Sequence, residues 1–283
     1  NPMDWAGFEA KTCDAVVAVV GLDNTMEGEE GDAIASAQCG DRADIALPDH
    51  QVEFVRSLCG RGVPVILVVM AGCAVALGDL HDLAAAVLYA WYPGEAGGEA
   101  VADILFGDAA PSGKLPVTVP FSTEDLPPFD DYAMAGRTYR YMEKEPQYPF
   151  GFGLSYTVFS YGNARVTPPA APGEGMRIDV DVTNTGTRAA TEVVQVYLAF
   201  DEAPSPSPHW SLATYRRVSI EAGATECVTC IVDPAQLTWV TGDGVRERAR
   251  GRTAVTIGGA CPTARSEKLG APTPVTVECN LTV

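Results

Sequence analysis

The sequence contains no apolar run approaching the roughly 20 residues that a membrane-spanning helix needs, which removes such a helix from consideration. Basic residues are scarce: 19 Lys and Arg stand against 37 Asp and Glu, giving a formal charge of −18. A surface that negative repels phosphate backbones and anionic lipid, so neither nucleic acid nor a membrane is expected as a partner. Histidine is rarer still. His50, His81 and His209 are the only three, none has a second ligand at metal spacing, and no metal or other cofactor is proposed. The opening residues, Asn-Pro-Met-Asp-Trp, form neither a basic n-region nor an apolar h-region, so no secretory signal is read there.

What is present is the composition of a globular protein, 47% apolar and 20% charged over 283 residues, a length that suggests two domains. The charge locates the division. Residues 1–155 carry 24 acidic and 8 basic side chains, whereas residues 156–283 carry 13 and 11, so the net charges are −16 and −2. The boundary is therefore placed near residue 155, and acid chemistry is expected before it. The eight cysteines are even in number, but a chain this long buries a core without disulfide staples. Cys13, Cys39, Cys59 and Cys73 are expected to be ordinary buried thiols. Cys227 and Cys230 form a CxxC within an alternating stretch, residues 226–232, where an i, i+3 pair points to opposite faces of a strand. That placement argues against a redox or zinc site.

The first part alternates strand and helix. Residues 14–21 and 63–70 are short β-branched apolar runs of the kind buried on both faces of a parallel sheet. Between them residues 48–59 carry Val52, Val55 and Leu58 at helical spacing, with Gly60 and Gly62 closing the helix. A third strand is expected at 85–91 and a helix at 96–105. This order means a parallel α/β sheet, whose ligands bind outside the carboxyl ends of the strands. The loops after Val20, Val69 and Trp91 are the ones to inspect.

The loop after the first strand reads Gly21-Leu-Asp-Asn-Thr-Met-Glu-Gly-Glu-Glu-Gly-Asp32 and places five carboxylates within ten residues from Asp23. Such density costs stability, so a compensating role is one reading and a solvated loop another. Calcium suits these oxygens, but the spacing does not follow the EF-hand pattern. The loop after the third strand, Trp91-Tyr-Pro-Gly-Glu-Ala-Gly-Gly98, has the glycines of a phosphate cradle, yet Glu95 and Glu99 would meet a phosphate with negative charge. A tight turn in which Gly97 and Gly98 let helix and sheet approach is the preferred reading.

Six blocks in this order carry a resemblance. Gly21-Leu-Asp-Asn-Thr-Met-Glu-Gly-Glu-Glu30 is followed by Gly40-Asp-Arg-Ala-Asp-Ile-Ala-Leu-Pro48 with Gln51, then by Ala90-Trp-Tyr-Pro-Gly-Glu-Ala-Gly-Gly98 running on to Asp108. Pro111-Ser-Gly-Lys-Leu-Pro-Val-Thr-Val-Pro120, Arg137-Thr-Tyr-Arg-Tyr141 and Tyr148-Pro-Phe-Gly-Phe-Gly-Leu-Ser-Tyr-Thr157 complete the series. Together they resemble the carboxy-terminal α/β sandwich of glycoside hydrolase family 3. The Gly-Leu-Asp-Asn-Thr style is closer to its β-xylosidase and α-L-arabinofuranosidase branch than to its β-glucosidases. Beyond the boundary, Phe159-Ser-Tyr161, Val180-Asp-Val-Thr-Asn-Thr-Gly186 and Glu192-Val-Val-Gln-Val-Tyr197 resemble the fibronectin type III-like domain of many members. The residues themselves give strands at 177–183, 192–199, 215–220, 226–232 and 253–257, an all-β sandwich. The expected domains are 1–155, including a linker at 120–155, and 156–283. The Pro-rich run 203–208 is read as a stiff surface loop without a site; its neighbours His209 and Trp210 are read as loop anchors before sugar platforms.

The resemblance implies a retaining exo-β-glycosidase that removes non-reducing terminal sugars from plant-type oligosaccharides, first a β-xylosidase, alternatively a β-glucosidase or an inactive carbohydrate-binding or assembly fragment. Such enzymes use two carboxyl groups about 5 Å apart. In the family the nucleophile is an aspartate on a (β/α)₈ barrel that no part of this sequence can form, so the barrel is an expected partner, beside an oligosaccharide or aryl-glycoside substrate and a second copy in a homodimer. The acid/base is a glutamate of the sandwich loop. Alignment on Gly28 selects Glu29, with Glu27 second and Glu30 also competing. Crowding by Glu27, Glu30 and Asp32 would help keep a proton on Glu29, as a general acid requires. Asp41-Arg42 stands where the family often has an Asp-Arg pair, and Arg42 is expected to support the loop by pairing with one of its carboxylates. Arg137-Thr-Tyr-Arg-Tyr141 is read as packing between the domains.

Overall fold

The computed structural model describes residues 2–28, 31–36 and 39–282. They gather into two compact units, Asn1–Phe106 with Val119–Leu126, and Gly107–Thr118 with Pro127–Val283.

The first unit runs α1 (Pro2–Ala10), β1 (Val16–Gly21), α2 (Asp49–Cys59), β2 (Val65–Met70), the single turn α3 (Leu80–Leu83), β3 (Ala86–Tyr89) and α4 (Gly97–Phe106). The three strands pair in parallel in the order β1-β2-β3. Val16 lies opposite Val65 and Gly21 opposite Met70, while Val69 lies opposite Tyr89. This register brings the three carboxyl ends to one edge. Helix α2 buries Val55 and Leu58, three residues apart on one face, and carries Arg56 in its last turn, where a cation suits the helix dipole. One turn earlier, Gln51 accepts from the Gly21 N–H and donates to the Gly21 carbonyl, both at 2.8 Å. That amide satisfies both main-chain groups of the last residue of β1. Gly21 itself has φ +146°, and any Cβ there would run into the Met70 carbonyl, so only glycine fits.

One expectation needs correction. β1 is not buried on both faces: Ala18 and Val20 are buried, but Val17 and Val19 are 47% and 58% exposed. β1 is an edge strand, and among the described residues one of its faces is covered while the other is exposed. The run of β-branched residues is the same for a strand covered once or twice, because the sequence records hydrophobicity and not what covers it.

The second unit holds the short helix α5 (Thr138–Tyr141) and a sandwich of two antiparallel sheets. One sheet has the order β4-β5-β8, built from β4 (Phe159–Thr167), β5 (Met176–Asn184) and β8 (Thr225–Val232). The other, β12-β11-β6-β7, is built from β6 (Ala190–Phe200), β7 (Ser211–Ile220), β11 (Gly251–Gly258) and β12 (Val275–Leu281). A ribbon of β9 (Thr238–Val240) and β10 (Arg246–Arg248) stands apart, and α6 (Ala264–Lys268) precedes β12. Alternation on β5 puts Met176, Ile178, Val180 and Val182 into one core with Val194, Val196, Leu198, Val255 and Ile257. The same alternation leaves Cys227 exposed and Cys230 buried, and all eight cysteines are free thiols. Cys13 and Cys39, expected inside, are exposed, and Cys59 and Cys73 are half-buried.

Two polar side chains, Gln195 and Lys114, tie the motif segments to the sandwich. Gln195 on β6 donates to the carbonyls of Gly151 and Gly259, both at 2.9 Å, and accepts from the Tyr197 hydroxyl at 2.5 Å. Lys114 donates to the Gly153 carbonyl at 2.7 Å and pairs with Glu192 at 3.1 Å, the two side chains being 12% and 3% exposed. Burial pushes the Glu192 carboxyl up from its ordinary value, and Lys114 opposes that push. Removing one partner of such a pair strands the other charge. Lys114→Met should therefore cost about 3–5 kcal/mol in urea unfolding, with Glu192→Gln added to it recovering most of the loss. A single-variant loss well under 1 kcal/mol would mean that Glu192 is not relying on Lys114.

Candidate functional site

The loops that follow β1, β2 and β3 meet at the carboxyl edge of the parallel sheet. The acidic loop starts with a turn fixed by its own side chains. Asp23 accepts from the Thr25 N–H at 2.8 Å and the Thr25 hydroxyl at 2.6 Å, and its carbonyl accepts from the N–H groups of Met26 and Glu27. The Thr25 hydroxyl and then its N–H hold the Asp23 carboxyl below the usual range, so Asp23 is committed to shaping the turn. Further along, the Ala35 N–H returns to the Thr25 carbonyl at 2.7 Å. The loop is folded onto itself.

Glu27 follows this turn. Its Oε2 accepts from the Tyr92 hydroxyl at 3.0 Å. It is also hydrogen-bonded to the Cys73 thiol, whose sulfur accepts from Arg42 Nη1 at 3.2 Å. Arg42 places its other terminal nitrogen on the Ala46 carbonyl at 2.6 Å. Arg42, Cys73, Glu27 and Tyr92 thus form one chain of contacts drawn from all three loops. Gly72 makes room for it: a Cβ at that position would stand 2.7 Å from the Tyr92 ring and 3.7 Å from Glu27 Oε2.

The third loop begins under backbone strain. Trp91 has φ +56°, in a region that bulky residues seldom adopt, and its ring lies 6.3 Å from that of Tyr89. Tyr89 is held by a 2.6 Å hydrogen bond to the Val75 carbonyl. The turn into α4 is tight, since a Cβ on Gly97 would sit 2.7 Å from Pro93 Cβ. Glu95 and Glu99 are exposed. Below the acidic loop, Asp44 accepts from the Ala46 N–H at 2.9 Å and the Thr123 hydroxyl at 2.7 Å, and the Ala76 N–H donates to the Ile45 carbonyl at 2.8 Å. These contacts fix the segment that delivers Arg42.

Of the candidate residues read from the sequence, Glu27 and Arg42 come together through Cys73, and Asp41 is exposed beside Arg42. Glu29 and Glu30 lie outside the described residues. Among the described residues, no group of three or more His, Cys, Asp or Glu side chains could hold a metal ion, and no helix is long and apolar enough to cross a membrane. Sequence reasoning missed Gly72, Cys73 and Tyr92. In the sequence, the loop after β2 stands out only by its place at a strand end, and Cys73 reads as a buried core thiol.

The model of the glycosyl hydrolase family 3 C-terminal domain matches residues 3–156. The chain belongs to glycosyl hydrolase family 3. A fibronectin type III-like domain model matches residues 192–260, so the family's α/β domain is followed by a β-sandwich. Among curated relatives, a xylan 1,4-beta-xylosidase of Xylanibacter ruminicola is 42% identical over 218 residues, covering 77% of this chain and 25% of that protein. A periplasmic beta-glucosidase of Salmonella typhimurium is 34% identical over 244 residues, covering 82% of this chain and 31% of that protein. A solved β-glucosidase from Erythrobacter marinus superposes with a TM-score of 0.81 at 30% identity, covering 99% of this chain and 36% of that one. The chain thus spans about a quarter to a third of the length of these family 3 relatives.

In this family 3 chain the Cys73 thiol is pushed up to about 11, first by burial and then by Glu27. A raised thiol remains protonated, and so unreactive, until the pH nears that value. Iodoacetamide at pH near 8 should alkylate the exposed Cys13 and Cys39 and spare Cys73, whose labelling should rise steadily toward pH 11, as peptide mass spectrometry would resolve. Glu27→Gln should move the Cys73 profile to lower pH. Equal labelling of all three thiols at pH 8 would contradict this environment.

Proposed function

We propose that this chain is the acid/base-bearing carboxy-terminal part of a retaining exo-acting β-glycosidase, a β-xylosidase in the first place, that removes non-reducing terminal sugars from plant-type oligosaccharides. The observation that carries the reading is a folded acidic loop at the carboxyl edge of the parallel sheet, with the Glu27 carboxylate oriented by the Tyr92 hydroxyl at 3.0 Å. The xylosidase relative, at 42% identity, supports the choice of sugar over the glucosidase alternative.

On this reading residues 1–155 are the α/β domain, with 120–155 as the connection, and residues 156–283 are the fibronectin type III-like domain. The nucleophile aspartate is supplied by a barrel outside these residues. A loop glutamate gives its proton to the leaving oxygen and, once the glycosyl-enzyme has formed, takes one from the attacking water. Glu29 is favoured by its alignment on Gly28. Glu27 is favoured by a side chain that is already aimed. Arg42, joined to Glu27 through the Cys73 sulfur, and Asp41 beside it support the loop.

The test is made in the polypeptide that also carries the barrel. Replacing the acid/base glutamate, in Glu29→Gln or in Glu27→Gln, should lower turnover of xylobiose by a thousandfold or more, roughly the upper range of proton-transfer catalysis. The same variant should keep much of its activity on an aryl xyloside with a good leaving group and be rescued by azide. The other glutamate variant should show neither signature. Near-normal xylobiose turnover in both variants would overturn the assignment to this loop.

Within the same protein Gly72→Ala should displace Tyr92, because the new methyl would press 2.7 Å from the ring. If Glu27 is the acid/base, xylobiose turnover should fall about ten- to hundredfold with the fold intact by circular dichroism, an effect in the range expected of a mispositioned catalytic group. If Glu29 is, turnover in Gly72→Ala should fall by less than about threefold, because the displaced Tyr92 then orients no reacting group.

A further inference from the structure

In the second unit, a groove of about 520 Å³ lies between the Pro-rich segment 203–208 and the β9–β10 ribbon. It has the size of a small-ligand site. Its charge is unlike that of the rest of the molecule. The chain as a whole carries −18, yet the described residues that line the groove include two arginines, Arg140 and Arg246, and no Asp or Glu.

Neither guanidinium has a carboxylate partner among the described residues. Arg140 donates through Nη2 to the Ser211 hydroxyl at 3.0 Å, while its Nε is buried and has no acceptor. Arg246 donates through Nη1 to the Thr238 hydroxyl at 2.8 Å. A buried donor left without an acceptor costs free energy, and an arginine's fork of N–H groups fits a planar carboxylate with two parallel bonds. The remaining polar wall combines the Gln236 amide with hydroxyls, Ser205 on the Pro-rich side and Thr241, itself bonded to Asp243, in the turn of the ribbon, and the largely buried Trp239 lines it with apolar surface. Hydroxyl walls with two unpaired guanidinium groups match a ligand that is itself rich in hydroxyls and carries one carboxylate.

We propose that this groove binds a uronate residue of an oligosaccharide, its carboxylate held between Arg140 and Arg246 and its hydroxyls against the serine and threonine wall. The choice of a sugar over another carboxylate rests on the glycosidase reading above; the groove itself is defined by its residues. The Pro-rich run and the Arg137-Thr-Tyr-Arg-Tyr141 segment, read from the sequence as a plain loop and as packing, are here two walls of one site.

Calorimetric titration of the 283-residue chain compares a xylo-oligosaccharide bearing one glucuronosyl substituent with the same oligosaccharide lacking it. The acidic sugar should bind at least about tenfold tighter, the scale of one charge-assisted pair, and the advantage should shrink as salt rises from about 0.05 to about 0.5 M. Arg140→Gln and Arg246→Gln should each erase most of the advantage and leave binding of the neutral sugar unchanged. Arg246 is exposed, so its variant reports even where Arg140→Gln destabilises the unit. Equal binding of the two sugars, no binding of either, or acetate competing as well as glucuronate would overturn the proposal. Because the readout is binding without turnover, failure here leaves the acid/base assignment untouched, and failure of the glutamate variants leaves this affinity difference unexplained by catalysis.

Discussion

The parallel register of β1, β2 and β3 is the constraint on which the candidate site depends. Pairing Gly21 with Met70 and Val69 with Tyr89 ends all three strands at one level, so the loops that leave them compete for the same space. Close approach at that level is possible because Gly21 has no side chain to meet the Met70 carbonyl and Gly72 has none to meet the Tyr92 ring. Gln51 completes the arrangement by bonding both main-chain groups of Gly21, which fixes the departure point of the acidic loop. A shift of one residue in this register would separate Glu27 from Tyr92 and Cys73.

The carboxylates in and beside the acidic loop have different tasks. Asp23 is spent on the Thr25 turn and Asp44 on Ala46 and Thr123, each held below the usual carboxylate range by those hydrogen bonds. Glu27 instead bonds side chains from the other two loops. In the second unit the deeply buried pair of Lys114 with Glu192 is supplied with a further acceptor, the Gly153 carbonyl. The groove arginines show the opposite economy, with neutral hydroxyl anchors and no countercharge among the described residues.

Much of the fold was legible because burial writes a period into the sequence. Val55 and Leu58 at helical spacing and Ile178, Val180 and Val182 at strand spacing are buried where the pattern put them. Edges were less legible. β4 and β12 were not read as strands, although Val275, Val277, Cys279 and Leu281 alternate, since an outer strand buries little on either face. The small ribbon β9–β10 is too short to show a period at all. In the site, the acidic loop stood out by charge alone, whereas Cys73 and Tyr92 carry no sequence signal that separates them from a core thiol and a core aromatic.

By itself, the sequence determined that a parallel α/β domain precedes a β-sandwich, that the acidity sits in the first of these, and that six motif blocks mark family 3. These follow from local properties: side-chain hydrophobicity, charge, and short residue strings. Only the tertiary structure decided that Arg42 reaches Glu27 through the Cys73 sulfur, that Val17 and Val19 of β1 stay exposed, and that Arg140 shares a groove with Arg246. The first and last of those facts concern residues 15 to 106 positions apart, and a hydrogen bond or a shared wall depends on distance in space, which the order of residues along the chain does not contain.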